Sequence, residues 1–290
     1  MYERFNFYDV YAYLFPGLAA IALFGAPFFV ARRSWPQTEL LSTIAVLLAS
    51  YGVGHVLAEA GRGVPFLRER VMPSVRLVRD GGLSPELKAV ISEALQARLG
   101  LNLATASDPQ IQDGFYFARN VAMQEGKAGY FEQFQGLYGL MRGLSVTLSL
   151  AAAAYLGWGL AAVRQVQAEP LYRPMVGLIA LFVIAFALAV TSRMVQRTKI
   201  EKKYKDRLER THEWGFAVVL MISSFAFGWV GATHAPARVG EGWVLLCCAA
   251  AVALFAARFS RSYKEQTMNF ARAVYLAFAA VSSSKSDRNA

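Results

Sequence analysis

The sequence predicts an all-α polytopic membrane protein, with six transmembrane helices in three hairpins and a small helical cytoplasmic domain. Three observations lead to this prediction: six apolar stretches, the placement of Lys and Arg between them, and one long polar segment. An α-helix needs about 20 apolar residues to cross the hydrocarbon core of a bilayer. Five stretches approach that length, and the last is shorter. The stretches are residues 11–31, 39–57, 143–163, 175–191, 214–233 and 243–257.

The positive charges predict the orientation in the membrane. Of the 30 Lys and Arg residues, 25 lie in the N-terminal segment, in segments 58–142 and 192–213, and in the C-terminal segment. These segments alternate with three connections that hold the other 5. Cytoplasmic segments of membrane proteins carry an excess of Lys and Arg. We therefore expect a protein of the bacterial inner (cytoplasmic) membrane, with the N-terminus and the C-terminus in the cytoplasm.

Composition limits the kinds of partner. The chain has 56% hydrophobic residues and a net charge of +10, and a strongly basic balance is also typical of nucleic-acid-binding proteins. However, segment 60–141 carries 9 basic and 8 acidic residues, so the excess charge lies beside the ends of the spans. Charge at those positions attracts anionic lipid headgroups. We expect the lipid bilayer and its anionic headgroups as partners, and we disfavour nucleic acid.

The chain divides into alternating membrane and cytoplasmic segments. The segment between spans two and three is the only one with room for a cytoplasmic domain, but its own core would be thin. We expect it to pack on cytoplasmic extensions of other spans. The predicted segments are a first transmembrane hairpin (1–58), a cytoplasmic helical domain (59–142), a second transmembrane hairpin (143–191), a charged cytoplasmic helix (192–213), a third transmembrane hairpin (214–257), and an amphipathic C-terminal helix with a disordered tail (258–290).

Helix signals mark the elements of the cytoplasmic domain. Ser84, followed by Pro, predicts a helix start, because Ser caps helix N-termini and Pro fits the first helical position. Gly100 predicts the end of that helix. Asp108, again followed by Pro, predicts the start of another helix that reaches about residue 124. From residue 130 an apolar pattern continues at helical spacing into span three.

The segment after span six has two predicted parts. Residues 258–281 place apolar side chains near one helix face and charged ones on the other. Such an amphipathic helix lies either on the inner leaflet or against the cytoplasmic domain. Residues 282–290 are rich in Ser and charge, which predicts a disordered tail.

The spans lack charge in their interiors. No Asp, Glu, Lys or Arg lies well inside any of the six stretches. Ion- and proton-coupled transporters normally need such a group at the midplane, so this class is disfavoured. A hydrophobically gated pore needs no charge and stays open as an alternative. Ser145 with Ser149, or Ser223 with Ser224, would line a narrow polar path, and His55 is a further candidate for it. Hydrogen bonding between helices is the more common use of such serines.

Four ionisable residues form a candidate constellation near the inner ends of the spans. His55 and Glu59 share a helix face at i,i+4 and would pair. His212 and Glu213 lie at the base of span five, at the same predicted boundary. An intramembrane enzyme using these four residues is one alternative, and an interfacial His that hydrogen-bonds locally is the simpler interpretation.

Known catalytic and metal-binding signatures are absent from the sequence. There is no phosphate loop, kinase signature, nucleophile elbow or zinc-protease motif. The two cysteines, Cys247 and Cys248, are adjacent and have no metal-ligand spacing around them. We therefore expect a protein that is not an enzyme and that has no cofactor and no metal.

Three short patches of the chain have distinctive sequences. They are Tyr8-Asp9 with Tyr13-Leu14-Phe15-Pro16-Gly17, then Tyr51-x-x-Gly54-His55, and then Phe131-x-x-Phe134-x-x-Leu137-Tyr138-x-x-x-Arg142. In these patches the chain resembles uncharacterised bacterial multi-span membrane proteins, some of which are encoded beside antiviral defence genes. The resemblance implies a membrane effector. It carries over no functional residue. Asp9, Pro16 and Arg142, which lie in these patches, are candidate functional residues beside the four named above.

Together these observations favour a non-enzymatic membrane protein. Its cytoplasmic helices would receive a cytoplasmic protein partner or a signal, and its helix bundle would respond as a homo-oligomer that perturbs the membrane. The alternatives are a channel or uncoupled transporter for a small solute, and the intramembrane enzyme.

The predicted topology places Arg238, in the last short connection, outside the cytoplasm. A fusion of alkaline phosphatase at Arg238 is therefore expected to be enzymatically active, because that reporter folds only outside. A fusion of green fluorescent protein after Ala290 is expected to fluoresce. An inactive phosphatase at Arg238 in a stably inserted fusion would mean that the last hairpin does not span.

Overall fold

The structure, a computed structural model, describes residues 7–32, 40–64, 67, 72–164, 202–234 and 239–289. All secondary structure in these ranges is helical. A π-helical turn, Val10–Leu14, connects the first two helices. The helices are α1 (Phe7–Asp9), α2 (Phe15–Arg32), α3 (Leu40–Gly63), α4 (Pro73–Arg79), α5 (Pro85–Leu99), α6 (Asp108–Gln124), α7 (Gly129–Val163), α8 (Lys202–His234) and α9 (Val239–Asn289).

Five of the described helices are long and apolar enough to cross a membrane: α2 with its preceding π turn, α3, α7, α8 and α9. They coincide with five of the six predicted spans. The predicted span at 175–191 lies outside the described residues, as do residues 192–201 of the charged helix and most residues of the predicted hairpin turns. The all-helical membrane class is thus supported, while the count of six and the hairpin arrangement stay predictions.

Local sequence signals set the helix ends in the 72–129 region. The Ser84 side chain accepts a hydrogen bond from the Leu87 backbone N–H at 3.2 Å, and Gly100 ends α5 with φ of 66°. The same Ser84 and the backbone N–H of Glu86 stabilise the Glu86 carboxylate and lower its pKa. Helix α6 spans Asp108–Gln124 as predicted, but Asp108 is its first helical residue and not its N-cap. Its N-cap is Ser107, whose N–H donates to the Gln110 side chain at 2.8 Å.

The chain forms two compact units. Unit 1 comprises residues 1–11, 69–139 and 261–290, and unit 2 comprises residues 12–68 and 140–260. The core of unit 1 is built by α4 to α6, by the first part of α7 and by the last part of α9. A segment of this size gains a sufficient core by recruiting helices from elsewhere in the chain. Its fully buried side chains are Leu77, Val78, Ile91, Leu95, Leu103, Ile111, Phe131, Val274, Tyr275 and Phe278.

The last part of α9 resolves one open prediction and corrects another. Of the two placements open to the amphipathic C-terminal helix, the structure has the second, because Val274 and Phe278 are fully buried in the unit 1 core. Tyr275 stands edge-on to Phe115 at 5.5 Å between ring centroids. The helix then continues to Asn289, so the expected disordered tail at 282–290 is described as helix. The buried apolar face of α9 ends at Val281, but the helical backbone continues beyond it to Asn289.

Helix α7 is the central helix of unit 2. About two thirds of its apolar stretch is buried (67%), against a third or less of every other candidate span. Side-chain hydroxyls tie it to the backbones of its neighbours, as expected where no water competes for the carbonyl groups. The bonds that join it to α2 and α8 run from Thr147 to the Pro16 carbonyl (3.4 Å), from Tyr155 to the Leu23 carbonyl (2.6 Å) and from Ser224 to the Leu150 carbonyl (2.8 Å).

Glycines permit the close helix crossings of unit 2. A Cβ on Gly54 of α3 would overlap the Tyr13 carbonyl, and a Cβ on Gly17 of α2 would overlap the backbone of α3 in turn. A Cβ on Gly228 of α8 would likewise overlap the Ala154 carbonyl of α7. Small residues allow such approaches in membranes, where packing rather than the hydrophobic effect drives association between helices.

The structure also places the small and aromatic residues of the spans. The run 151–154, all alanine, is buried within the bundle, whereas most of the alanines at 249–257 are exposed. Trp158 is 2% exposed and packs beside Gly231, where the absence of a side chain leaves room for the indole ring. Trp243, in contrast, is 58% exposed.

Substitutions of two neighbouring glycines test the crossing of α2 with α3. Gly54→Ala is expected to lower the free energy of unfolding by about 1–3 kcal/mol, because the added methyl group overpacks the contact. Gly52→Ala is the matched control, since nothing lies within 4 Å of a Cβ there. Thermal unfolding of the full chain in detergent, followed by circular dichroism, separates the two. Equal melting temperatures would show that the crossing is not closely packed.

Candidate functional site

An aromatic cluster in unit 2 surrounds one of the predicted functional residues. The His55 ring of α3 stacks on Tyr13 of the π-helical turn, with centroids 3.8 Å apart and planes at 17°. Tyr51 stands edge-on to His55 at 4.6 Å and to Tyr13 at 6.0 Å. Isolated π turns within α-helices are frequent at functional sites. Here the turn brings the Tyr13 ring to His55 while its carbonyl meets Gly54.

The expected pairing of His55 with Glu59 is replaced by other contacts. Glu59 instead forms an ion pair with Arg62 at 2.7 Å, one helical turn further on, and both side chains are more than half exposed. An exposed pair of this kind contributes little to stability. His55 is also exposed, so its ring is available to a partner on the side away from Tyr13.

Arg142, near the unit 2 start of α7, is a buried cation. Its relative exposure is 8%, and its Nε atom is buried without a hydrogen-bond partner. The side-chain stem passes over Gly61 of α3, where an added Cβ would lie 3.1 Å from the Arg142 Cγ. The sequence analysis singled out Arg142 as a candidate residue but did not identify Gly61 as its neighbour. The spacing of Gly54, Ala58 and Gly61, at i, i+4 and i+7, is the signal that marks a close-packed face of α3.

The remaining predicted residues lie in three places. Asp9 is half-buried in α1 and belongs to unit 1. Pro16 lies near the start of α2, where its ring meets Gly143 of α7 and its carbonyl accepts the bond from Thr147. His212 and Glu213 lie in α8, but their side chains are outside the described part of the structure. The structure therefore joins Pro16 to α7, as it does Arg142 to α3, and leaves the four-residue constellation untested.

The hydroxyl groups that would form a polar path are occupied. Ser145 donates to the Ala256 carbonyl of α9 at 3.2 Å. Ser149 and Ser223 each donate at 2.8 Å to a carbonyl one turn earlier in their own helix, on Ser145 and Val219. These bonds fit the use of serine for helix packing rather than for lining a pore.

Among the described side chains, no three His, Cys, Asp or Glu residues are grouped closely enough to hold a metal ion. Cys247 is exposed and Cys248 is partly exposed. The described polar groups of interest are therefore two separate sets, the Tyr13, Tyr51 and His55 rings and the Arg142 guanidinium.

Comparisons with protein-family models, with curated proteins and with solved structures found no match to this chain.

The stacked His55 ring gives a test of the cluster. His55→Ala is expected to lower the free energy of unfolding by about 1 kcal/mol, since aromatic pairs contribute about 0.5–1.5 kcal/mol beyond their buried area. His55→Phe keeps a ring over Tyr13 and is expected to retain most of that stability. Thermal unfolding of the full chain in detergent measures both. If the two variants are equally destabilised, stacking does not hold the cluster together.

Proposed function

We propose that this chain is a non-enzymatic integral membrane protein whose cytoplasmic helices receive a partner or signal and whose helix bundle responds. Unit 1 is the receiving part and unit 2 the responding part. The response is a change in membrane permeability, made by an oligomer of the chain. A cytoplasmic protein, the lipid bilayer and further copies of the chain are the partners in this proposal.

The continuity of two helices supports this proposal above all. Helix α7 contributes Phe131 to the core of unit 1 and the buried alanines at 151–154 to unit 2. Helix α9 likewise contributes Phe278 to unit 1 and Ala256 to unit 2. With a rise of 1.5 Å per residue, α7 is about 50 Å long. Small shifts of whole helices are a common form of switching, so repacking of unit 1 would move residues of unit 2.

Exposed apolar faces support an oligomer as the responding form. Four side chains of α3 and α9 are more than 60% exposed: Leu48, Val56, Val244 and Leu254. In a bilayer such faces meet either lipid chains or another copy, because both offer the same apolar contact. When contacts with lipid chains are exchanged for contacts with another copy, the helix bundle can assemble without exposing apolar surface to water.

The alternatives have less support. A channel within a single copy would need the hydroxyl groups of Ser145, Ser149 and Ser223 to leave their carbonyl acceptors. An enzyme built on His55, Glu59, His212 and Glu213 has no supporting contact among the described side chains, since His55 stacks on Tyr13 and Glu59 pairs with Arg62.

A break in α7 tests the coupling between the units. In living bacteria, induced expression of the full chain is expected to depolarise the membrane, measured with a voltage-sensitive dye. Leu140→Pro is expected to abolish the depolarisation, because proline inside a helix costs about 3 kcal/mol or more and interrupts the backbone ladder. Leu140→Ala, which keeps the helix, is expected to depolarise like the unchanged chain.

Membrane fractionation must give equal amounts of the three proteins for this comparison. A deletion of 60–141 serves as a second control and is expected to be inactive. Full depolarisation by an inserted Leu140→Pro variant would contradict coupling through α7. Full depolarisation by the deletion variant would contradict the receiving role of unit 1. The absence of depolarisation by the wild-type chain would contradict the proposed permeability response.

A further inference from the structure

The environment of Arg142 is unusual for an arginine. More than nine tenths of the residue is buried, and no ion pair or hydrogen bond engages its side chain within the described residues. The nearest acidic side chain on the adjoining turns of α3, Glu59, is paired with Arg62. Arginine stays charged under all ordinary conditions. Within the described residues, the structure thus holds a fixed positive charge that no acidic side chain neutralises.

The geometry of the side chain directs this charge to one place. The stem is fixed between α7 and α3, because Gly61 leaves room for Cγ and Cδ, and Val146 lies beside the same space. Nε is enclosed and unpaired, whereas the two terminal amino groups are not enclosed in that way. We infer that these amino groups reach the small opening that accounts for the remaining exposure. Two parallel N–H groups there match two oxygens of a phosphate or carboxylate.

The position in the sequence favours a phosphate in the membrane interface. The uninterrupted apolar run of α7 begins at Gly143, directly after Arg142. With the predicted span at 143–163, which lies within the longer candidate span Phe131–Val163, the guanidinium lies at the end of the span, where phospholipid headgroups are, whichever side of the membrane that end faces. Exposed apolar residues of α3, among them Val56 at 69%, offer a surface for the lipid chains. A soluble anion would gain the phosphate contact but not this apolar surface.

We propose that Arg142 is a phosphate-binding residue that holds one phospholipid headgroup between α3 and α7. The two terminal amino groups of the guanidinium donate to two phosphate oxygens, and the acyl chains lie along α3. The bound lipid neutralises the buried charge and becomes part of the packing of unit 2. The proposal needs only the membrane location, and it stands or falls separately from the role of unit 1 as a receiver.

Native mass spectrometry of the full chain in detergent tests this site. The wild-type chain, titrated with phosphatidylglycerol, is expected to bind one lipid more tightly than any others. Arg142→Gln is expected to weaken this first binding step at least tenfold, because it removes two charge-assisted hydrogen bonds. Arg142→Lys, which keeps the charge without the planar fork, is expected to show a smaller loss. Arg164→Gln, at an exposed arginine beyond the other end of α7, is the matched control and should bind like wild type.

Two further ligands identify the group that is recognised. Diacylglycerol has the same acyl chains without the phosphate, and binding of it equal to that of phosphatidylglycerol would overturn the proposal. Inorganic phosphate has the anion alone. If it displaces the lipid at millimolar concentration, the ligand is a soluble phosphate and the lipid assignment is wrong. Equal lipid binding by Arg142→Gln, Arg164→Gln and wild type, each folded by circular dichroism, would also overturn it.

Discussion

Close packing around α7 is the constraint on which unit 2 depends. This helix meets α2, α3, α8 and α9, and at each crossing either a small residue or a hydroxyl group takes part. In lipid the helices gain nothing from burying apolar surface against each other. Contact at backbone distance supplies the attraction instead, and a single added methyl group can remove it. Stability in this unit is therefore a matter of shape more than of hydrophobicity.

The same constraint explains why the polar residues of the spans do not form a path. A hydroxyl group in the hydrocarbon region is costly unless it donates a hydrogen bond, and the nearest acceptors are backbone carbonyls. Serine, threonine and tyrosine on α7 and α8 use these acceptors and thereby become part of the packing. Arg142 has no such acceptor in the described structure. The phosphate group proposed above would supply its partner.

The sequence predicts those features that depend on neighbours along the chain. The starts and ends of α5 and α6 follow from Ser84, Gly100 and a Ser-Asp-Pro run, with an error of one residue at the α6 N-cap. Five apolar spans follow from composition and length. Features that depend on the register between helices could not be predicted from the sequence. Gly52 and Gly54 look equivalent in the sequence, but only Gly54 faces the Tyr13 carbonyl, and the stacking of His55 on Tyr13 joins residues 42 positions apart.

Helices α7 and α9 each contribute buried residues to both units. Inserting one residue near Leu140 would turn the following part of α7 by about 100°. Arg142 would leave Gly61, and every crossing further along α7 would lose its small residue. A change of length within α7 is therefore far more disruptive than a substitution on an exposed face of α5 or α6.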